Sequence, residues 1–397
     1  MKHRLTDAKN APMLRFLMVL TIASTAGLQA WRTLFDNFAV RVVGLEGYHV
    51  GIIQSVREIP GFLALLVIFV LLIIREHRIS SLSIITLGVG LTVTGMFPSF
   101  GGVIFTTLVV SWGFHYYETT NQSLTLQYFD KQTAPLVFGR LRSLAAASNI
   151  GVGVFVLFVA PVLSYMQIYA LIGAVIIAAG LWSLTQSPSH EFVAPQRKRM
   201  IIRRRYWLYY LLTFLAGARR QIFVAFALFL LVTRFDFSLQ EVAGLFLLNN
   251  LINYFLSPMI GKAIVRHGER KVLSVEYFFL IIVFVGYAWV DSKFVVALLY
   301  IADHIFFNFS IAIRTFFQKI GDPRDIAPSM AVGFTINHIA AVVLPVIGGL
   351  LWMVDYRIPF YGGAGLSLVS LVAVQAITRE IRKAPQAEPA SVTDTAS

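Results

Sequence analysis

The sequence predicts an all-α integral membrane protein, with twelve transmembrane helices in two pseudo-symmetric six-helix bundles. Four observations carry that reading. The chain is 57% hydrophobic and only 13% charged, with a mean hydropathy of +0.73; soluble domains run at about 45–50% apolar and about 25% charged. Its apolar residues fall into about twelve continuous windows, each close to the ~20 residues a helix needs to cross the hydrocarbon core. The windows are continuous and not alternating, which favours helices over a barrel. Finally, the basic residues collect in alternate connections, as the positive-inside rule requires.

Taken in order, the windows cover about residues 13–42, 49–74, 80–98, 102–128, 135–162, 164–185, 207–233, 238–262, 272–290, 294–318, 327–353 and 358–378. The first follows Met1-Lys2-His3-Arg4 and contains Ala23-Ser24-Thr25-Ala26, features shared with a cleaved signal sequence. Helix-compatible sequence continues to Val43, so a retained first span is expected. Residues 186–206 are the one long connection and separate six windows from six. The expected division is a bundle over 1–185, a basic linker over 186–206, a second bundle over 207–383, and a tail over 384–397 of disordered composition.

One set of connections receives about 24 of the 33 Lys and Arg residues, among them Arg140, Arg142, Arg197, Arg203 and Arg205. The other receives only Arg41, Arg234, Lys293 and Arg357. This asymmetry predicts both termini in the cytoplasm of a multi-pass protein, best matched to a bacterial inner (plasma) membrane. It also explains the net charge of +13 as topogenic, so no nucleic-acid partner is expected. The expected partners are membrane lipid and a small-molecule substrate, and the expected state is a monomer. The chain has no cysteine, which excludes disulfides, thiolate metal sites and cysteine nucleophiles. It shows no Walker pattern, no nucleophile elbow and no His-x-x-x-His pair. Neither an enzyme, nor a cofactor, nor a resident metal is expected.

The halves repeat weakly. Trp31-Arg32 lies over Arg219-Arg220, and Tyr128-Phe129-Asp130-Lys131 over Phe316-Phe317-Gln318-Lys319, at the same offset of 188 residues. Parallel six-helix repeats describe transporters with a midplane site between the halves.

The segment from Gly261 to Lys271 places Gly261, Arg266, Gly268, Arg270 and Lys271 in a spacing that resembles the loop motif of the major facilitator superfamily. Val265 stands where that motif has Asp. The resemblance implies the twelve-helix fold of that superfamily, transport by alternating access, and a gate at this loop. In physical terms the glycines permit a tight turn, and the basic cluster can hold helix C-termini and lipid phosphates.

Five arginines lie inside the windows: Arg32, Arg57, Arg219, Arg220 and Arg314. A charge at bilayer depth costs at least ~2.5–3.5 kcal/mol, so it faces a wet cavity or a partner. Arg32 and Arg220 occupy matching places in the two halves and would form a fork for a carboxylate or phosphate, an arrangement that looks like that of superfamily members carrying organic phosphates and related anions. The plainer reading pairs Arg32 with Asp36, and Arg219 or Arg220 with Glu276 or Asp303; Arg219, adjacent to Arg220 and so on another face, is expected to be the structural one. Arg57-Glu58 precedes Pro60-Gly61, where the helix can open. His115, Glu118 and Gln122 share one helical face; Trp112, Tyr116 and Tyr117 beside them read as packing or as a substrate wall. Asn250 and Asn337 add polar groups in the second half, where helix–helix hydrogen bonding is the commoner use.

The expected function is alternating-access transport of a small organic anion or zwitterion. Arg32, Arg220, Arg57, His115, Asn250 and Asn337 are expected to bind the substrate, and Glu118, Asp303, His304 and Glu58 to couple protons. A proton-coupled exporter of lipophilic or cationic compounds, and a transporter-like sensor that moves nothing, are the alternatives.

Overall fold

The computed structural model describes residues 10–188 and 193–384. Every regular element among them is helical, and the segments assemble into twelve rods. We number them α1 (Ala11–Arg41), α2 (Gly47–Phe62, continuing as a 3₁₀ turn over Leu63–Leu66 and a last turn Val67–Val70), α3 (Glu76–Thr94), α4 (Phe100–Tyr128), α5 (Ala134–Val159) and α6 (Tyr165–Leu184). The second half contains α7 (Trp207–Ile222, a π-helical turn Phe223–Ala227, then Leu228–Phe235), α8 (Leu239–His267) and α9 (Glu269–Trp289). It ends with α10 (Lys293–Phe307, a 3₁₀ turn Asn308–Ser310, then Ile311–Ile320), α11 (Ile326–Val354) and α12 (Arg357–Ala373, Val374–Ala376, Ile377–Lys383).

Local chemistry sets the ends. Of the helices that start on the side away from the 186–206 segment, α4, α6, α8 and α10 begin with serine caps. Ser99 accepts from Gly102 N, and Ser164 with Gln167 and Ser238 with Glu241 form reciprocal capping boxes. On the linker side, α1 and α5 instead open with Pro12 and Pro135, whose fixed φ suits the first turn and whose missing N–H would be unsatisfied there in any case.

Among the described residues, nine helices are long and apolar enough to cross a membrane by length and composition. Large apolar side chains such as Phe105 (60% exposed), Phe158 (73%) and Phe294 (71%) face outward, an arrangement that water would punish and hydrocarbon accepts. Helices α3, α4 and α11 are not among the nine; α3 and α4 are largely buried against their neighbours, although side chains such as Leu82 and Phe105 face outward. Their hydroxyls return to their own backbone, as Thr119 does to His115 O (2.9 Å) and Thr94 to Gly90 O (2.8 Å), so few polar groups are left for lipid to meet. The chain is an integral multi-pass membrane protein.

The halves meet on the linker side. Gln318 Nε2 of α10 donates to Leu126 O and Phe129 O of α4 at 2.7 and 2.6 Å. Ser143 Oγ of α5 donates to Tyr254 O of α8 at 2.6 Å. The 3₁₀ turn after Pro60-Gly61 frees Leu65 N–H, which donates to Thr335 Oγ1 of α11 at 3.0 Å. Each of these contacts sits between mid-depth and the linker side. On the far side the ion pairs Arg234–Asp291 (3.2 Å) and Lys293–Glu241 (2.8 Å) stay within the second half.

Two sequence expectations change here. The Gly261–Lys271 segment is not a loop: α8 runs on through His267, and Gly268 alone, at φ 78°, makes the turn. Gly261 is a packing residue, because a Cβ on it would lie 2.4 Å from Pro135 O of α5. Gly139 on α5 reciprocates, with Ser257 O of α8 at 2.6 Å from its would-be Cβ. Small residues thus let two backbones from opposite halves touch. The basic residues of the motif, Arg266, Arg270 and Lys271, are exposed, and Arg270 reaches Thr378 Oγ1 at 3.4 Å. The second change concerns the linker, which is more than a solvated basic strand. Arg197 bonds both Asp322 (2.9 Å) and Asp325, and Arg203 Nε meets Asp325 at 2.7 Å. Lys198 Nζ donates to Leu72 O of the first half at 3.1 Å.

Candidate functional site

A cavity of about 790 Å³ lies between the halves, lined by both. It is built from helix faces that carry charge where an apolar residue would be the default. From α1 it receives Arg32, from α2 Arg57 and Glu58, from α4 His115 and Glu118, and from α5 Arg142. The second half contributes Arg220, Asn250, His304, Arg314, Asn337 and His338. Among the described residues the wall therefore holds five guanidiniums and two carboxylates.

The two carboxylates are already neighbours of arginines. Arg57 Nη2 pairs with Glu58 Oε1 at 2.8 Å, while its guanidinium lies 5.4 Å from the Trp31 ring centre. The Glu118 charge acts on Arg142 and Arg314. Arg142 Nη1 also donates to Asn308 Oδ1 at 2.9 Å, and Asn308 Nδ2 to Asn253 Oδ1 at 2.6 Å. Arg32 and Arg220 differ from these. Among the described residues neither has an ion pair or hydrogen bond of its own, and both share the charge of Glu58, which Arg57 already holds; the side chain of Asp36, the sequence candidate for Arg32, lies outside the description. Arg32 is exposed although it stands at mid-span, because the surface it shows is the cavity wall.

The backbone of the second half is irregular where it meets this wall. The π-helical turn of α7 begins three residues after Arg220, and its Phe223, Val224 and Ala225 line the cavity. The 3₁₀ turn of α10 brings in Asn308 and Ser310. Single-turn departures of this kind occur disproportionately at functional sites. The matching helices of the first half, α1 and α4, are regular.

The sequence candidates divide as follows. Arg32, Arg57, Glu58, His115, Glu118, Arg220, Asn250, His304 and Asn337 all reach the cavity, as does Gln122. Asn250 accepts from Asn149 Nδ2 of the first half at 2.9 Å, and Asn337 Nδ2 donates to Thr213 O at 3.2 Å. Asp303 is not on the wall. It is buried inside the second half with Arg219 and Glu276, all three at most 4% exposed. Arg219, and not Arg220, takes the structural partners: Glu276 Oε1 at 3.8 Å, Ser370 Oγ, and the Tyr277 ring at 4.4 Å. Trp112, Tyr116 and Tyr117 turn away to pack, Tyr117 against Thr21 at 2.8 Å.

Arg142 was counted with the topogenic charges and is corrected by the fold. It stands two turns inside α5 on the face opposite lipid, whereas Arg140 is exposed. Two residues apart on one helix, they stand about 200° apart around its axis, which turns Arg142 and not Arg140 to the cavity. Arg314, an unassigned intramembrane arginine in the sequence, and His338 are further wall residues.

The sequence matches no known family profile and no curated protein. Its fold does have solved counterparts. A bacterial homologue of the iron transporter ferroportin, in its outward-facing state, superposes with a TM-score of 0.76 at 12% identity, covering 92% of this chain and 99% of that one. The human organic anion transporter MFSD10 (TETRAN) gives 0.68 at 14% identity, covering 92% and 99%. The major facilitator superfamily transporter FucP, in the outward conformation, gives 0.69 at 13% identity, covering 95% and 100%. Twelve helices in two six-helix halves around a shared cavity, superposable on these proteins end to end, give this chain the major facilitator fold.

Proposed function

We propose that this protein is a secondary transporter that moves a small organic anion by alternating access, with the two halves rocking about the cavity. The observation that carries the reading is the charge balance of the wall: among the described residues five guanidiniums face two carboxylates, and Arg32 and Arg220 have no ion pair of their own. A guanidinium presents a planar fork of donors that matches a carboxylate or phosphate edge. One such fork from each half would let the bound anion draw the halves together.

The solved counterparts agree with transport but not on a cargo. One is named for iron, one for organic anions, and FucP is named a fucose:proton symporter. The choice of an anion therefore rests on this chain's own arginines. An exporter of lipophilic cations would call for the opposite balance of charge.

Proton coupling is assigned to the buried cluster of Arg219, Glu276 and Asp303. One guanidinium cannot neutralise two carboxylates, and a surplus negative charge in an apolar interior is costly. One of the two acids is therefore expected to hold a proton, released when the second half rearranges. We read the basic connections as cytoplasmic; on that reading the conformation described here is closed to the cytoplasm.

The test is substrate-driven charge movement in proteoliposomes, with a panel of organic acids, phosphate esters and cationic compounds, backed by radiolabel counterflow. A signal for one anionic class that is lost in Arg220→Leu supports the reading. Undiminished anion transport by a folded Arg220→Leu protein, or signals with cations only, would refute it.

A further inference from the structure

Three side chains at the boundary of the halves form a donor set that anion binding does not require. Glu58 of α2, His115 of α4 and His338 of α11 each offer a ligand atom, and these atoms all lie within 4.8 Å of one another. His338 Nε2 stands 3.9 Å from Glu58 Oε2. The imidazole rings of His115 and His338 meet edge to face at 5.1 Å. Both histidines are buried, at 5% and 2% exposure.

The rings are oriented alike. His115 Nδ1 donates to Ser111 O and His338 Nδ1 to Phe334 O, each at 2.8 Å and each to the carbonyl four residues back. A proton held on Nδ1 leaves the Nε2 lone pair free. Fixing the tautomer through the other ring nitrogen is the usual support of a metal-ligating histidine. On Glu58, Arg57 takes Oε1, so Oε2 remains for the centre of the group. Gly61 makes room: a Cβ there would stand 2.5 Å from His338 Cδ2 and 2.9 Å from His115 Cδ2. Two histidines and one carboxylate are a donor set for a divalent first-row transition metal. Tetrahedral coordination at ~2.0–2.1 Å wants ligand atoms about 3.3 Å apart, so binding would contract the group. Because His338 belongs to the other half from Glu58 and His115, that contraction would pull the halves together.

A bare dication is a poor fit, since the charge of Arg220 acts on all three ligands and that of Arg57 on Glu58 and His115. An anion must come with it. We propose that the cavity takes its substrate as a chelate, a divalent transition-metal ion carried by an organic oxyanion. Glu58, His115 and His338 complete the metal shell, while Arg32 and Arg220 receive the anionic arms. The assignment rests on the anion reading above and narrows its substrate class.

The experiment is equilibrium dialysis of the purified full chain with Co(II) alone, citrate alone, and Co(II) with citrate, followed by the ligand-field absorption of bound Co(II). The expected result is Co(II) retained only with citrate, with a spectrum that reports imidazole ligation. Loss of even an outer-shell partner costs about 10–100-fold in metal affinity, so His338→Ala and Glu58→Gln should each weaken retention at least about tenfold. Glu58→Gln keeps the shape of the site, and so serves where the histidine variant fails to fold. Citrate binding that ignores both Co(II) and these substitutions would overturn the chelate and leave the anion reading standing. Co(II) binding indifferent to citrate would overturn it in favour of a plain cation site. Binding of neither probe, alone or together, would count against both readings.

Discussion

Gln318 on α10 donates its side-chain amide to the backbone carbonyl of Phe129 at the end of α4, at 2.6 Å, and to Leu126 O at 2.7 Å. The two helices are repeat counterparts, since Phe129 and Phe317 are equivalent at the 188-residue offset. Lys131 and Lys319, equivalent at the same offset, also meet here, Nζ to carbonyl at 3.5 Å. The closed end of the molecule thus lies where the two copies of one helix end face each other.

Gln318→Leu should therefore favour the state open to the linker side. Two hydrogen bonds at about 1 kcal/mol each give a shift of roughly 2 kcal/mol, or about 30-fold in the conformational equilibrium. The chain has no cysteine, so a single cysteine placed at Ser310 on the cavity wall can report thiol labelling from the linker side. Labelling should be faster in the variant. An unchanged rate would mean that other contacts hold the gate.

The glycine pair between α5 and α8 should tolerate nothing larger. Gly261→Val forces a side chain against Pro135 O, a backbone atom that cannot turn aside. Overpacking of this kind costs about 1–3 kcal/mol. The expected outcome is a lower thermal midpoint and the same shift toward linker-side opening. Arg266→Ala, on an exposed side chain a few residues on, should change stability by no more than about 0.5 kcal/mol and leave the midpoint close to the parent's.

The linker clasp should be insensitive to mild acid. Burial would push the Asp325 carboxyl up, but hydrogen bonds from Tyr206, Arg197 and Arg203 outweigh it and hold the group below its usual range. Asp322 is held down in the same manner by Arg324 and Arg197, against its burial. A lowered folded value means stability that is present above the unfolded value of about 3.9 and lost as pH falls through the folded one. Protease protection of the linker should be flat from neutral pH to about pH 5 and fail only below the ordinary carboxylate range. Asp325→Asn should expose the linker at neutral pH, at a cost of about 1.5–3 kcal/mol for the lost charged hydrogen bonds.

Asp303→Asn should separate coupling from translocation. It leaves Arg219 balanced by Glu276 alone, so the fold should survive and substrate counterflow should continue. Uptake driven by a proton gradient should fall to the level seen without one. A variant that still accumulates substrate on a proton gradient would move coupling to another group.

Arg32 and Arg220 were legible as soon as they were seen as cations in apolar runs, because hydrocarbon makes an unpartnered charge too costly to be incidental. Glu276 and Asp303 were visible as intramembrane acids, and Arg219 was legible as the structural member of its pair, but Asp303 could as well have served Arg220. Arg219 and Arg220 are adjacent, and the packing of α9 and α10 shows Arg219 turned inward to the bundle and Arg220 to the cavity. Arg142 was misplaced because a basic residue near a helix end has the same sequence signature whether it points to headgroups or across the helix. His338 stood out only as one polar residue among several on α11.

By itself, then, the sequence determined the class, the twelve spans, the two-fold repeat and the sidedness of charge. Each follows from transfer free energies that act on one segment at a time: apolar windows partition into lipid, and basic loops stay out of it. The tertiary structure alone decided which polar groups meet. Residues as far apart as Glu58 and His338, or Phe129 and Gln318, are joined by the packing of one half against the other. No window of sequence contains both partners, so no local energy can report their contact.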